Sequence, residues 1–499
     1  MNPDNTPTFF RAARHFFSGT LLSRLSGLAR DVATAAFFGV DKEIAALMLA
    51  YRLVHLPRRV FGEGAMQVAF IPQFEKQRYE DPAAGFRFFI DLKWGLAATL
   101  CLFLGILILG FQGALQLQLS GDLREIINLS RHILPSLLFI CLYGMNASLL
   151  QCEKQFFLPS VTPVFFNLSW IAGAYFFKGL PKETAMIAMT WMINLGCFLQ
   201  WAATVPAVYN HVAKYHALHI PRLRLSAFKL LLGPLSLAIA GVIAQQLNSA
   251  VDPLFARAAD ASGPALLWYA VRLYQLPLAL FGIAIASALL PSLSRACERE
   301  DHTSAAKLLA LALKQNFFLM IPLTAAMFLF GRGAIELVFQ RGNFSAEDAL
   351  ATAACFWGYT PGLLPATLIL ILAPTFYARH DYRTPFRGAL LSVTCNLGLN
   401  AAAIYLFRFG PESVAWATSV SAWVNLAWLL ACLDQESAAT LKKTVNSPFM
   451  ARLLLFTAAA STSGALAGGY GFIAGAAAFV GCALTLLAWN RPFLKQLTA

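Results

Sequence analysis

The sequence predicts an all-α polytopic membrane protein with about 14 transmembrane helices. Two observations predict this fold class. Hydrophobic residues make up 58% of the 499 residues and charged residues only 13%, whereas soluble proteins carry about 25% charged residues. Apolar stretches of about 20 residues also recur from one end of the chain to the other, and each is long enough to cross about 30 Å of hydrocarbon.

Twelve apolar runs give the clearest predicted spans, while two earlier segments, 20–40 and 45–70, are more polar. The twelve runs are 94–111, 133–150, 160–177, 185–207, 230–247, 266–290, 316–330, 353–373, 388–406, 414–433, 453–472 and 474–489. Together they give an even number of crossings, so both termini are expected on the same side of the membrane.

The formal net charge of +13 is typical of a membrane protein and does not indicate a nucleic-acid partner. The basic residues lie in short loops, such as 214–229, 379–387 and 491–495, rather than on one face or tail. Because basic loops face the cytoplasm, both termini are predicted to be cytoplasmic. The nine cysteines are scattered singly, so neither a disulfide framework nor a zinc site is expected.

An internal repeat indicates two related halves. Residues 52–62 read RLVHLPRRVFG, and residues 272–282 read RLYQLPLALFG, with six of eleven positions identical. About six spans separate the copies, so both halves enter the membrane with the same polarity, as in transporters that bind substrate between parallel repeats. We therefore expect an N-terminal lobe (1–220), a C-terminal lobe (221–440) and two further helices (441–499).

Charged side chains inside predicted spans are the candidate functional residues. In the first span Arg24 and Asp31 share one helix face, and Arg30 points about 120° away. In the second span Arg52, Arg59 and Glu63 would form one stripe on a straight helix, but Pro57 is expected to kink it.

A surplus of positive charge would remain in the membrane, since Arg58 and, in the eighth span, Arg272 add to these arginines. Each buried charge costs at least about 2.5–3.5 kcal/mol unless it faces a cavity or a partner. The arginines could instead snorkel to the headgroups or pair with Asp31 and Glu63. Arginine binds phosphate through a bidentate fork, so an anionic phosphate or diphosphate ligand is the functional interpretation.

The motifs that hold these residues resemble one known family. They are SRLSGLARD (23–31), RRVFGEGA (58–65), YAVRL (269–273), FQRGNF (339–344) and LAPTFYAR (372–379). They look like the signature of the MurJ (MviN) lipid II flippases, which belong to the multidrug/oligosaccharidyl-lipid/polysaccharide exporter superfamily. The resemblance implies 14 spans in two lobes and outward transport of the undecaprenyl-diphosphate-linked peptidoglycan precursor lipid II by alternating access.

The resemblance also implies a substrate site. It comprises arginines in the first, second and eighth spans, with Glu63 matching the glutamate that follows the family's paired arginines. Two departures stand out: Ala45 occupies a position where the family often has aspartate, and the proline before the paired arginines has moved to Pro57. The substrate-site candidates are Arg24, Arg30, Asp31, Arg52, Arg58, Arg59, Glu63 and Arg272.

A sodium site in the C-terminal lobe is implied in the same way. Some members that this chain resembles bind sodium through an Asp, an Asn/Asp pair, a Val carbonyl and a Thr hydroxyl. The matching residues are Asp252, Asn396, Asn400, Val414 and Thr418. The alternative is that these polar groups are hydrogen-bonding contacts between helices. No other cofactor is expected.

Lipid II and membrane lipids are thus the expected partners of a monomer in the bacterial cytoplasmic (inner) membrane. One alternative is an exporter of another polyprenyl-diphosphate-linked saccharide, which would use the same arginines. A multidrug cation antiporter would need an acidic or aromatic cavity. An enzyme acting on lipid diphosphates would need clustered carboxylates or an activated nucleophile, which the sequence lacks. A non-transporting scaffold would have little reason to keep arginines in the membrane.

Overall fold

The computed structural model describes residues 6–58, 65–215, 217, 250–379 and 381–489. Within this part of the chain all the regular structure is helical, so the predicted all-α class is confirmed. Ten helical stretches there are long and apolar enough to cross a membrane. The total of about 14 spans stays a prediction, and Arg59 and Glu63 lie outside the described residues.

The chain divides by its internal contacts into two compact units. Unit 1 comprises Met1–Ala250 together with Arg341–Phe344, and unit 2 comprises Val251–Gln340 and Ser345–Ala499. The division into 1–220, 221–440 and 441–499 stays a prediction.

Unit 1 contains α1 (Thr6–Phe38), α2 (Lys42–Val54), α3 (Ala65–Glu80), α4 (Pro82–Ala114), α5 (Gly121–Ile133), α6 (Pro135–Cys152), α7 (Phe157–Val161), α8 (Pro163–Phe177), α9 (Lys182–Ala202) and α10 (Val205–Lys214). In unit 2, residues 251–259 are helical. They precede α11 (Gly263–Pro277), α12 (Ile283–Glu298), α13 (His302–Phe339), α14 (Ala346–Tyr359), α15 (Leu363–Tyr377), α16 (Arg383–Ala401), α17 (Glu412–Ala431), α18 (Gln435–Val445), α19 (Pro448–Gly468) and α20 (Phe472–Trp489).

Prolines interrupt several helices of unit 1. Pro135 and Pro163 each begin a new helix after a short break, because proline lacks an N–H and clashes with the preceding turn. At the first break Asn194 of α9 donates to the His132 carbonyl (2.7 Å) and Ser136 donates to the Ile133 carbonyl (2.7 Å). These side chains supply the hydrogen bonds that a buried helix break would otherwise lack.

The two copies of the sequence repeat depart from regular α-helix at matching places. In the first copy α2 ends at Val54, and residues 55–57 form a turn, which confirms the irregularity predicted at Pro57. In the second copy α11 ends at Pro277 and continues as a π-helical turn, Leu278–Gly282. In each copy a regular helix thus ends at the proline or three residues before it, and this helix carries the arginine that the two copies share, Arg52 or Arg272.

A tight backbone contact in unit 1 involves the segment Arg341–Phe344. Asn343 donates its backbone N–H to the Ala36 carbonyl (2.9 Å) and its side-chain amide to the Phe37 carbonyl (2.6 Å). Gly39 and Gly342 both adopt positive φ, +64° and +60°. A Cβ on Gly342 would lie 2.2 Å from the Ala36 oxygen, so both the backbone angle and the space require glycine here.

We predict that Gly342→Ala lowers the stability of the protein by about 1–3 kcal/mol, because it adds a steric clash to a strained backbone angle. Thermal denaturation in detergent measures the effect. Gly105→Ala in α4 is the matched control, since a Cβ there meets nothing within 4 Å and alanine favours a helix. Equal denaturation midpoints for the two variants would contradict the conclusion that position 342 requires glycine.

Candidate functional site

Arg30 lies in a buried polar cluster of unit 1. Its guanidinium donates to Asp31 Oδ1 from Nε (3.0 Å) and from one terminal nitrogen (2.8 Å), and to Asn167 Oδ1 of α8 from the other (3.2 Å). Arg30 and Asp31 are only 6% and 2% exposed. The positive charge of Arg30 is therefore balanced by its sequence neighbour, although the two Cβ atoms point in different directions.

Asn167 ties this ion pair to the preceding turns of α1. Its amide nitrogen donates to the Ser26 hydroxyl (2.9 Å) and to the Ser23 carbonyl (3.3 Å), while its oxygen accepts from Arg30. One side chain of α8 thus contacts α1 at three residues. Because the amide nitrogen and the amide oxygen of Asn167 both form hydrogen bonds with α1, Asn167 fixes the position of α1 against α8.

Aromatic rings cover the Arg30 guanidinium. Its central carbon lies 5.1 Å from the ring centroid of Trp170 and 5.7 Å from that of Phe166, distances at which a cation and a π face attract. Tyr51 of α2 packs against both rings. Trp170 also donates to the Thr34 hydroxyl (3.0 Å), which itself donates to the Arg30 carbonyl. These contacts hold Arg30 in one conformation.

Arg24 lies two turns earlier on α1 in a different environment. Its side chain is exposed and lines a cleft of about 440 Å³ formed by α1, α6, α7 and the start of α8. No carboxylate pairs with Arg24 in the described part of the chain, and no carboxylate lines the cleft there. Of the two arginines of the first span, Arg24 is therefore the one available to an external anion.

The second span contributes Arg52 and Arg58, which are both half-buried. Between them, His55 is 8% exposed, and its ring nitrogens lie 3.0 Å from the Tyr51 carbonyl and 3.1 Å from the Ser136 hydroxyl. His55 thus bridges the turn after α2 to the helix break before α6. Ala45, where the resemblance would place an aspartate, is fully buried. The nearby Asp41 pairs with Lys182 of α9.

Arg272 is half-buried on α11 in unit 2. Its guanidinium carbon lies 4.6 Å from the centroid of the Trp268 ring, one helical turn earlier. The aromatic face stabilises a cation that has left bulk water. A guanidinium is also the side-chain group that recognises oxyanions through paired N–H donors.

The five residues of the predicted sodium site lie together in unit 2. Asp252 accepts from Asn400 Nδ2 at Oδ1 (3.0 Å) and from the Thr418 hydroxyl at Oδ2 (3.1 Å). Asn400 Nδ2 also donates to Asn396 Oδ1 (3.1 Å). Thr418 lies 3.0 Å from the Val414 carbonyl and 3.4 Å from the Asn396 amide nitrogen. Three separate helical segments thus place five oxygen-bearing groups in one cluster.

The cluster is buried and contains one oxygen without a partner. Asn396, Asn400 and Val414 are 0% exposed and Asp252 is 6% exposed. Asn400 Oδ1 accepts no hydrogen bond although no solvent reaches it. An unsatisfied buried acceptor costs about 1–3 kcal/mol, which a cation at this place would offset. Carboxylate, carbonyl and hydroxyl oxygens are the ligands that hard cations prefer.

Sequence reasoning did not identify Asn167, Trp170 and Ser136. Each lies in an apolar run, where a single polar or aromatic residue does not reveal which other residue it contacts. Asn167 is 137 positions from Arg30, so only the helix packing reveals the contact. The one sequence signal was the presence of an amide in the middle of a predicted span.

A family model and curated relatives relate the chain to the same family. The family model described as "Lipid II flippase MurJ" matches residues 34–480. Two curated relatives carry the name "Probable lipid II flippase MurJ". The one from Rhizobium meliloti is 32% identical over 432 residues, covering 83% of this chain and 78% of the relative. The one from Chlamydia trachomatis is 29% identical over 436 residues, covering 87% and 80%.

Solved structures share the fold. A lipid II flippase MurJ in an inward closed conformation matches with a TM-score of 0.78 at 24% identity, covering 96% of this chain and 99% of that one. An inward-facing multidrug transporter of the MATE family, within the MOP superfamily, matches with a TM-score of 0.56 at 14% identity, covering 88% and 96%. The chain therefore shares its fold with both of these transporters.

We predict that Asn167→Ala destabilises the protein by about 1–3 kcal/mol, because it removes a partner of a buried guanidinium and leaves polar groups of α1 unsatisfied. The midpoint of thermal denaturation measures the loss. Leu168→Ala is the control, since Leu168 is the adjacent residue and is 53% exposed. An Asn167→Ala midpoint equal to that of the control would show that the amide does not hold α1.

Proposed function

This chain belongs to the lipid II flippase MurJ family, and from that premise we propose that it moves lipid II from the cytoplasmic to the outer leaflet of the bacterial inner membrane. The observation that carries the proposal is Arg24, an exposed guanidinium in a cleft where no carboxylate lies among the described residues. Lipid II carries a diphosphate, the oxyanion that an arginine fork recognises.

Arg24, Arg58 and Arg272 are proposed to contact the diphosphate, with Arg52 and Arg59 adding positive potential. Arg30 has a different role in this account, since Asp31, Asn167 and two aromatic rings already hold it. It would shape the N-terminal wall of the site, and its paired charge would attract the ligand less than that of Arg24. Glu63 would limit the charge of the second span.

Transport is proposed to follow alternating access. A cavity open to the cytoplasm would admit the headgroup, and the diphosphate would offset the mutual repulsion of the arginines. That neutralisation would favour closure on the cytoplasmic side and opening on the other. The membrane potential could reset the empty protein, since moving one charge through 100 mV is worth about 2.3 kcal/mol.

The same site argues against the other transport functions. A cation antiporter needs negative charge at its binding site, whereas the Arg24 cleft is basic in the described residues. An exporter of a different polyprenyl-diphosphate-linked saccharide would present the same diphosphate, so the family rather than the charge favours lipid II. Flipping a lipid makes and breaks no covalent bond, so the protein is proposed to act without catalytic residues.

The chain is a multi-pass membrane protein, and we propose that both termini are cytoplasmic and that it works as a monomer. The basic loops 214–229 and 379–387 support the orientation, because the positive-inside rule places such loops in the cytoplasm. The substrate arginines come from both sequence repeats, Arg52 and Arg272 among them, so a single chain supplies a full set.

Sodium is proposed as the coupling ion. Asp252, Asn396, Asn400, the Val414 carbonyl and Thr418 would hold it, and the unpartnered Asn400 Oδ1 supports this choice over a purely structural cluster. A bound cation would neutralise Asp252 inside the membrane. With one carboxylate and two amides, the site has low charge, which suits a monovalent rather than a divalent ion.

Expression of the chain should rescue bacteria depleted of their own lipid II flippase, whereas Arg272→Ala should not, because its guanidinium is needed to neutralise the diphosphate in the membrane. The measurement is the amount of lipid II exposed on the outer leaflet at matched protein levels. Arg332→Ala is the control, since Arg332 is exposed and pairs with Glu336 on the same helix.

Two results would contradict this prediction in different ways. Rescue by Arg272→Ala at the wild-type level would remove Arg272 from the transport mechanism. Failure of the wild-type chain, although it is correctly inserted, would assign the protein to another diphosphate-linked lipid.

Sodium chloride should raise the denaturation midpoint of the purified protein above its value in choline chloride of equal concentration, because a ligand that binds only the folded state stabilises it. Asp252→Asn should abolish the difference, and Asn400→Asp should enlarge it by adding a carboxylate. Asp122→Asn, at an exposed position of α5, should behave like wild type. A wild-type midpoint that does not respond to sodium would refute the site.

A further inference from the structure

The cleft beside Arg24 carries neutral polar side chains in addition to its one guanidinium. It opens between α1, α6 and the α7–α8 break, and Thr20, Ser23, Gln151 and Ser160 line it together with Arg24. Gly144 and Ala147 of α6 leave room at its wall. At about 440 Å³ it falls in the range of small-ligand sites, roughly 300–1,000 Å³.

The lining side chains have hydrogen-bonding capacity that the protein does not use. Among the described residues the Thr20 hydroxyl, the Ser23 hydroxyl and the Gln151 amide make no hydrogen bond, and Ser160 only donates, to the Phe157 carbonyl. By contrast, Ser26 on the same helix is fully engaged by Ser23 and Asn167. The unused groups are thus those that line the cleft.

The chemistry of these groups selects one class of ligand. Hydroxyl and amide groups are neutral and act as both donors and acceptors, which matches the hydroxyl and acetamido groups of a sugar. A further phosphate would gain most from a second cationic side chain, and a cation would gain most from a carboxylate. The described lining supplies one guanidinium and no carboxylate.

We propose that this cleft is the saccharide subsite of the transporter, with Arg24 contacting the diphosphate at its edge. The inference rests on the proposed function and adds to it that unit 1 binds the saccharide of the substrate. In a diphosphate-linked saccharide the first sugar is bonded directly to the phosphate, so its subsite must adjoin the phosphate-binding arginine. Ser23 and Thr20 meet this condition because they lie on the same helix as Arg24, within about one turn of it.

The test compares two lipids that share the diphosphate. The full chain in lipid nanodiscs is titrated with lipid II and with undecaprenyl diphosphate, which lacks the saccharide. Thr20→Val with Gln151→Met removes polar groups while keeping side-chain size. We expect this double variant to bind lipid II about tenfold more weakly, the effect of losing two neutral hydrogen bonds, and to bind undecaprenyl diphosphate as wild type does.

The control pair is Thr99→Val with Gln116→Met, on α4 and in the loop that follows it, away from the cleft; it should bind both lipids as wild type does. Ser160→Ala gives an independent variant, with a smaller loss for lipid II alone, should the double variant fail to fold. Equal affinities of the double variant and wild type for lipid II, or equal losses for both lipids, would overturn the saccharide subsite. Wild-type protein that binds neither lipid above phosphatidylglycerol would instead overturn the proposed function.

Discussion

The cost of a charge in a medium of low dielectric constant governs the arrangement of unit 1. Arg30 has left water almost completely, and it is tolerated because Asp31 balances its charge, Asn167 accepts a further hydrogen bond from it and two aromatic rings cover its face. Removing one partner from such a pair leaves an uncompensated charge and costs about 3–5 kcal/mol. The packing of α1 against α8 is therefore built around one guanidinium, and this fixes where the rest of α1, including Arg24, must lie.

The same constraint separates residues that sequence alone groups together. Arg24 and Arg30 occur in one motif, yet one is exposed in a polar cleft and the other is buried and paired. An external anion gains most from the charge that the protein leaves uncompensated. In unit 2 the buried charge is negative. The Asp252 carboxylate accepts hydrogen bonds from neutral donors, and the nearby Asn400 Oδ1 accepts none. The anion site that we propose in unit 1 and the cation site that we propose in unit 2 both follow from this constraint.

Much of this could be predicted from the sequence because it depends on local patterns. Hydropathy predicts the helices, and a proline predicts the turn after Val54. The resemblance to the MurJ family, which is confirmed, identifies the five residues proposed to bind sodium. The partners of Arg30 could not be predicted, because Asn167 and Trp170 are more than 130 positions away and give no periodic signal. Pairing with Asp31 was given only as an alternative, because a helical wheel places Arg24 rather than Arg30 on the face of Asp31 and ignores the length of the arginine side chain. Whether Arg24 lines a cleft is likewise a matter of tertiary packing.

The most direct test of the central claim is the affinity of the purified chain in nanodiscs for undecaprenyl diphosphate, measured for wild type and Arg24→Ala at low and high salt. We expect Arg24→Ala to bind this lipid about tenfold or more weakly and to lose part of the salt dependence, with an unchanged denaturation midpoint. Equal affinity of the two proteins at both salt concentrations would contradict it, because the uncompensated guanidinium of unit 1 would then have no part in holding the diphosphate.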